Sequence, residues 1–145
     1  MDAIRVKKLR DNAVIPTYGS GEAAGADLYA CLTERVEIQP GQTVMIPTGL
    51  AMEIPTGHAG LIFARSSMGA KRGLAPANKV GVIDADYRGE FMVALHNHSL
   101  QAQVVEPGER VAQLVIVPVV TPGFALVDEL TDTARGAGGF GSTGK

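Results

Sequence analysis

The sequence has a single cysteine, Cys31, no tryptophan and no long uninterrupted apolar run. One cysteine cannot form an intrachain disulfide, and a cysteine-rich zinc site is excluded. Cys31 reads as a small buried or half-buried thiol, since no His and Asp partners stand at a spacing that would make it a nucleophile. The longest apolar stretch, Val111 to Val120, is interrupted by Gln113 and Pro118. It falls well short of the roughly 20 residues that span a bilayer. The opening residues Met1-Asp2-Ala3-Ile4-Arg5 lack the apolar core of a signal peptide. A soluble, cytoplasmic protein with no membrane partner is therefore expected. Excess positive charge is also missing: the net charge is −2. That gives no reason to expect a nucleic-acid polymer as partner, although a local arginine cluster still suits a small anion.

What is present points to one β-rich domain. A chain of 145 residues is long enough to build a real core. Its 46% hydrophobic and 19% charged content argues globular rather than disordered. Leu50, Met52 and Ile54 alternate with Ala51 and Glu53, and Phe91, Val93 and Leu95 alternate with Met92, Ala94 and His96. Val111, Gln113, Val115 and Val117 are expected to share a strand face. Turn chemistry separates these runs at Gln39-Pro40-Gly41-Gln42, Ile54-Pro55-Thr56-Gly57, Glu106-Pro107-Gly108-Glu109 and Thr121-Pro122-Gly123. Short strands at such spacing predict an all-β sandwich or barrel. The one helix candidate is Ser66 to Lys71, capped by Ser66 or Ser67 and ended by Gly73. From Arg135 onward glycine dominates, so residues 135–145 are expected to be a mobile arm on a domain of residues 1–134.

Five segments carry candidate chemistry. Arg65-Ser66-Ser67 follows the apolar Leu61-Ile62-Phe63. A strand ending in a guanidinium, two hydroxyls and free N–H groups suits phosphate oxygens, though a plain helix cap beside a surface arginine is the simpler account. Gly81 to Glu90 delivers Asp84 behind Val82 and Ile83 and turns back at Arg88-Gly89. A partly desolvated Asp84 would be a better base for water; a hairpin-turn role for Asp84 and Asp86 accounts for them equally well. Gln113 is a strand amide that needs partners, from the core or from a ligand. Asp27 is either a turn carboxylate or a second carboxylate near a metal and its waters. Arg135 and Phe140 let the arm close over a nucleotide, against the ordinary fate of a disordered terminus. Two further patterns are set aside. Gly139 to Lys145 matches the start of a P-loop, but no Ser/Thr and no helix follow Lys145, so it is not expected to cradle phosphate. His96 and His98 have no visible third ligand and are expected to be solvated or satisfied.

Taken in order, Ala24-Gly25-Ala26-Asp27-Leu28, Arg65-Ser66-Ser67, Gly81 to Glu90, Gly108 to Gln113 and Arg135 to Gly144 resemble the five ordered motifs of the trimeric dUTPase family. The resemblance covers essentially the whole chain. It implies a jelly-roll-like β-barrel or sandwich of the β-clip kind and a homotrimer with active sites where subunits meet. It also implies Mg2+-dependent hydrolysis of dUTP to dUMP and pyrophosphate, limiting uracil in DNA and supplying dUMP for thymidylate synthesis. By resemblance, Asp84 is the catalytic base that primes the attacking water, and Tyr87 lies under the deoxyribose. Asn78, Gly81, Val82, Ile83 and Met92 read uracil. Arg65, Ser66, Ser67 and Gln113 contact phosphates. Arg135 meets the γ-phosphate, Phe140 caps the uracil beside Gly141, and Asp27 supports the magnesium hydration shell through water.

The chain departs from the family's pattern in places. Ala64 stands where proline is common, Ser67 where glycine is common, and Ala26 where a larger residue is common. Two other activities compete with dUTP hydrolysis. A related family with the same fold deaminates dCTP and uses a glutamate, for which Glu90 is the nearby candidate. A non-catalytic nucleotide-sensing or protein-binding module is the third reading.

Overall fold

A computed structural model describes residues 2–144. The described residues form twelve short strands: β1 Val6–Lys8, β2 Thr17–Tyr18, β3 Ala26–Tyr29, β4 Val36–Ile38, β5 Thr43–Pro47, β6 Leu50–Met52, β7 His58–Phe63, β8 Leu74–Pro76, β9 Gly81–Ile83, β10 Met92–Asn97, β11 Gln103–Val105 and β12 Arg110–Pro118. All ladders are antiparallel. The five-stranded sheet runs β2-β3-β12-β7-β9; the others are β5-β10-β8, β11-β4 and β1-β6. The fold is all-β, as the alternation predicts.

Every sheet contributes to one core. Leu28, Ile62 and Leu114 come from the five-stranded sheet, and Ile46, Leu74, Val93 and Leu95 from the three-stranded one. Ile38, Val105, Leu50 and Met52 complete it from the two-stranded ladders. Alternation is cleanest in β10: Val93 and Leu95 are buried while Met92, Ala94 and His96 are only partly so. Strand β6 departs from it, with all three residues buried, because Ala51 is small enough to be covered on the second face.

The predicted turns close as their glycines dictate. Gln42 N–H bonds Gln39 C=O, His58 N–H bonds Pro55 C=O, and Glu109 N–H bonds Glu106 C=O. Gly41, Gly57 and Gly108 each take φ near +77°, at 78°, 77° and 76°, a conformation that glycine adopts without penalty. Thr121-Pro122-Gly123 forms no such turn; that segment is exposed and irregular. The expected helix is a single π-type turn, Ser67–Lys71, preceded by Ser66 without a side-chain cap bond. It is followed by Gly73 at φ 68°.

One expectation fails for a definite reason. Strand β12 carries an irregularity between Arg110 and Ala112 in its pairing with β3. The extra residue, Val111, turns into the core and is fully buried. It therefore does not share a face with Gln113, Val115 and Val117, because a bulge shifts the alternation by one. Strands stop at Pro118, and residues 119–144 contain neither strand nor helix.

Candidate functional site

Pairing of β3, β12 and β7 puts Asp27 opposite Gln113, and Gln113 opposite Phe63. Asp27 and Gln113 are thus neighbours on the face away from the core. Two residues past Phe63 the chain reaches Arg65, whose Nε donates to Asp27 Oδ1 at 2.7 Å. Arg110 Nη1 donates to Asp27 Oδ2 at 3.2 Å. One carboxylate therefore holds two guanidinium groups. Arg110 was missed by strict alternation counted from Gln113. The bulge sends Val111 inward and returns Arg110 to the outer face, opposite Tyr29. Gln113 Nε2 donates to Ala64 C=O at 2.9 Å, which fixes its amide beside Arg65. Gly25 leaves room for this amide: a Cβ would lie 2.5 Å from Gln113 Oε1 and would push it aside.

These residues enclose an open recess of about 200 Å³ lined by Gly19, Ala23, Gly25, Asp27, Arg65, Ser66 and Gln113. Arg65 Nη1 also reaches Ser67 Oγ at 3.3 Å. Arg65 C=O takes up Met68 N–H at 3.1 Å and Gly69 N–H at 2.8 Å, which leaves the N–H groups of Ser66 and Ser67 at the start of the turn. Guanidinium groups, serine hydroxyls, an amide and free N–H groups around a small recess are chemically suited to polyphosphate oxygens. Both oxygens of Asp27 are engaged by arginines, so on this face it orients cations before it could order metal-bound water.

The second constellation surrounds β9. Strand β9 pairs only with β7, and β10 pairs with β5 and β8. Ala77 N–H to Ala94 C=O, 2.7 Å, is the last link between the β8 side and β10. Among the described residues no backbone bond joins Gly81–Ile83 to Met92. The strands splay and leave unpaired peptide groups facing a slot, a surface able to bond the edge of a planar base. Asn78 sits at its start, with Nδ2 3.5 Å from where a Gly81 Cβ would stand. The adjoining Lys79 takes φ 66°, strained backbone of the kind that gathers at binding sites.

At the other end of the slot, Tyr87 N–H bonds Asp84 C=O at 3.1 Å and closes a turn. Asp84 is exposed, not partly desolvated as its apolar neighbours suggest. Val82 points outward, 64% exposed, because β9 is an edge strand with nothing of its own chain across it. Asp84 opens on a recess of about 450 Å³ shared with His58, Asp86 and Arg88. Tyr87 donates its hydroxyl to Glu90 C=O at 2.9 Å. The Glu90 carboxylate accepts Gly49 N–H at 2.7 Å and a guanidinium N–H of Arg10. It is committed to the scaffold and does not serve as the glutamate a deaminase needs.

Gly81 pairs with Ile62, near Arg65, but Asp84 and Arg65 themselves lie toward opposite ends of β7. Ile83 pairs with Gly60, so Asp84 falls beside Ala59, while Arg65 follows Phe63. Six residues of strand separate them, about 20 Å at the usual rise. The arm joins neither. Arg135 Nε is turned back onto Gly138 C=O at 2.7 Å, and Phe140 and Gly141 are exposed. His96 Nδ1 is satisfied by Thr43 Oγ1 at 2.9 Å. Among the described residues no group of three His, Cys, Asp or Glu could hold a metal ion. None of the described helices is long and apolar enough to cross a membrane.

Comparison with known proteins agrees with this geometry. A family profile described as dUTPase matches residues 11–144. The deoxyuridine 5'-triphosphate nucleotidohydrolase of Desulfitobacterium hafniense is 51% identical, over 99% of this chain and 99% of its own. That of Hahella chejuensis is 49% identical, over 95% of this chain and 91% of its own. The solved dUTPase of Staphylococcus bacteriophage 80alpha with dUPNHPP superimposes with a TM-score of 0.91 at 31% identity, covering 100% of both chains. The chain therefore belongs to the dUTPase family.

Proposed function

We propose that this chain hydrolyses dUTP to dUMP and pyrophosphate. The observation that carries this reading is the order of groups along the β9 slot. Gly81–Ile83 has an open edge, Asn78 precedes it, Asp84 follows it, and Tyr87 closes the turn onto Asp84 C=O. We assign the base to that open edge, the sugar to Tyr87 and the α-phosphate to Asp84. Unpaired backbone groups select uracil, because cytosine would present mismatched donors and leave peptide groups unsatisfied. Asp84 takes a proton from water as the water oxygen bonds the α-phosphorus. The bond from that phosphorus to the bridging oxygen breaks, and pyrophosphate leaves. Such hydrolysis limits uracil in DNA and supplies dUMP for thymidylate synthesis.

Adjacent phosphates share an oxygen, so the base at Asp84 and the cations at Arg65 and Arg110 must meet at one substrate. Within a single chain they are a strand length apart. We therefore assign the phosphate recess of one copy to the Asp84 slot of another, which supports a homotrimer with composite sites. The segment after Pro118 supports the same reading: Val120, Phe124, Leu126 and Leu130 are almost wholly exposed, more apolar surface than a lone chain leaves in water. The arm, residues 135–145, then closes over a neighbour's site. Arg135 meets the γ-phosphate there, and Phe140 stacks on uracil beside Gly141.

Mg2+ fits as a substrate-borne ion, since it keeps several waters and binds mainly through phosphates. When bound it supplies charge neutralisation on the triphosphate. With Asp27 already paired to Arg65 and Arg110, the chain's own contribution is to orient those cations and, through water, to support the ion's hydration shell. The buried free thiol of Cys31 suits a cytoplasmic location. The test is a pyrophosphate-release assay on dUTP, dCTP, dTTP and UTP in labelled water. Turnover of dUTP alone, with solvent oxygen in dUMP, is expected; label found only in pyrophosphate, or ammonia released from dCTP, would refute the reading.

A further inference from the structure

We infer that Glu90, clamped by Arg10, is the positioning residue that fixes the Tyr87 ring and so sets selection for deoxyribose over ribose. The inference rests on the reading that Tyr87 lies beneath the sugar. Glu90 ties together three distant parts of the chain. Its Oε1 accepts the Arg10 guanidinium, 80 residues away, and Gly49 N–H at 2.7 Å, 41 residues away. Its own carbonyl accepts the Tyr87 hydroxyl at 2.9 Å. The next residue is fastened as firmly: Phe91 N–H bonds Leu50 C=O at 2.8 Å, and Phe91 C=O accepts Thr48 Oγ1 at 2.6 Å. The peptide that holds Tyr87 is thus pinned on both sides.

The anchor on the far side is rigid too. Gly49 C=O accepts Leu9 N–H at 2.7 Å, and Cys31 Sγ donates to Asn12 Oδ1 at 3.2 Å. No side chain fits at Gly49, where a Cβ would stand 2.7 Å from Cys31 Sγ at φ 69°. Hydrogen bonding to Cys31 first, then the charge of Glu90, raises the Arg10 pKa above its ordinary value. The cation is therefore present at any working pH.

Tyr87 has little else to hold it. It is 42% exposed. Its ring meets Phe91 at a centroid distance of 6.1 Å and a 41° tilt. Gly89 leaves just enough room, since a Cβ there would lie 2.4 Å from the Tyr87 hydroxyl oxygen. A hydroxyl-sized exclusion depends on ring position to a fraction of an ångström, and among the described residues only the Glu90 carbonyl sets that position through a directional bond. The open edge at Gly81–Ile83 precedes Asp84 in the chain and is held by β7, whereas Arg10 binds Glu90, beyond Tyr87. Loss of the clamp should therefore loosen sugar selection and spare base selection.

The experiment measures kcat/KM for dUTP, UTP and dCTP in wild type, Arg10→Ala, Glu90→Ala, Glu90→Gln and Gly89→Ala. In Arg10→Ala and Glu90→Ala the dUTP:UTP ratio should fall about tenfold or more while dUTP:dCTP stays within about twofold. A variant carrying both Arg10→Ala and Glu90→Ala should lose no more than either single one, because both break one unit. Glu90→Gln, which keeps an acceptor for Gly49 N–H, should recover part of the ratio. If Glu90→Ala does not fold, Arg10→Ala carries the test from the exposed end of the pair. Gly89→Ala displaces the ring directly. A collapsed dUTP:UTP ratio in that variant, with Arg10→Ala and Glu90→Gln unchanged, overturns the clamp alone. An unchanged ratio in Gly89→Ala overturns the sugar reading and the clamp with it. Both ratios falling together would mean general loosening and would also overturn the inference.

Discussion

Asp27 Oδ1 accepts a hydrogen bond from Arg65 Nε at 2.7 Å, across 38 residues of chain. With Arg110 on its second oxygen, the carboxylate sets the spacing of two cations on one recess. Asp27→Asn removes the charge and keeps the shape. We expect kcat/KM for dUTP to fall about tenfold to a hundredfold, mainly through KM, because ground-state phosphate binding suffers first. Stability should fall by about 1–3 kcal/mol, between the values for exposed and for fully buried pairs. Steady-state kinetics and thermal unfolding on one preparation check both.

Asp84→Asn tests the base. The amide is isosteric but cannot take a proton, so turnover should drop by about 10²–10⁴, while a non-hydrolysable dUTP analogue binds with nearly unchanged affinity. Calorimetric titration against pyrophosphate-release kinetics separates the two. Near-normal turnover would remove Asp84 from the chemistry.

Composite sites predict complementation. Asp84→Asn and Arg65→Ala should each be inactive alone. Co-expressed and randomly mixed, about a quarter of the sites would pair an intact Asp84 with an intact Arg65 from another copy. Activity should recover accordingly. No recovery in verified mixed oligomers would place both residues in one chain's site.

Gly25→Ala puts a methyl group 2.5 Å from Gln113 Oε1. The amide is the free end of its side chain and can swing away, so the fold should lose less than about 1 kcal/mol. The bond to Ala64 C=O cannot survive the swing, and kcat/KM should fall about tenfold. A large drop in unfolding temperature instead would show that Gln113 is structural.

Phe140 makes no packing contact in its own chain and is fully exposed. Phe140→Ala should leave the unfolding temperature unchanged and weaken nucleotide binding about tenfold, the scale of one base-stacking contact. Fluorescence or calorimetric titration with the dUTP analogue measures it.

Several parts of this design were legible residue by residue. Gly41, Gly57 and Gly108 mark turns because only local dihedral freedom is involved, and Phe91 to Asn97 alternates because nothing interrupts its pleat. Arg65, Asp84 and Gln113 stand out by residue type, but a helix cap, a hairpin turn and a core amide account for them equally well until their order along the chain is compared with a family. Arg110 was not legible: its side of the sheet depends on one inserted residue, which alternation cannot reveal. Nor was the exposure of Asp84, since Val82 and Ile83 look buried in sequence while β9 lies at an edge. Glu90 reads as a spare carboxylate until Arg10 and Gly49 are seen to occupy it.

By itself the sequence determined where the chain turns, which residues alternate and which chemical groups are carried, for these follow from backbone dihedrals and side-chain identity over a few neighbours. Tertiary structure decided which strands splay to leave a slot, which arginines share Asp27, and that Asp84 and Arg65 stand at opposite ends of β7. Those outcomes depend on strand register and pairing between residues tens of positions apart, and such contacts form only when the whole core closes.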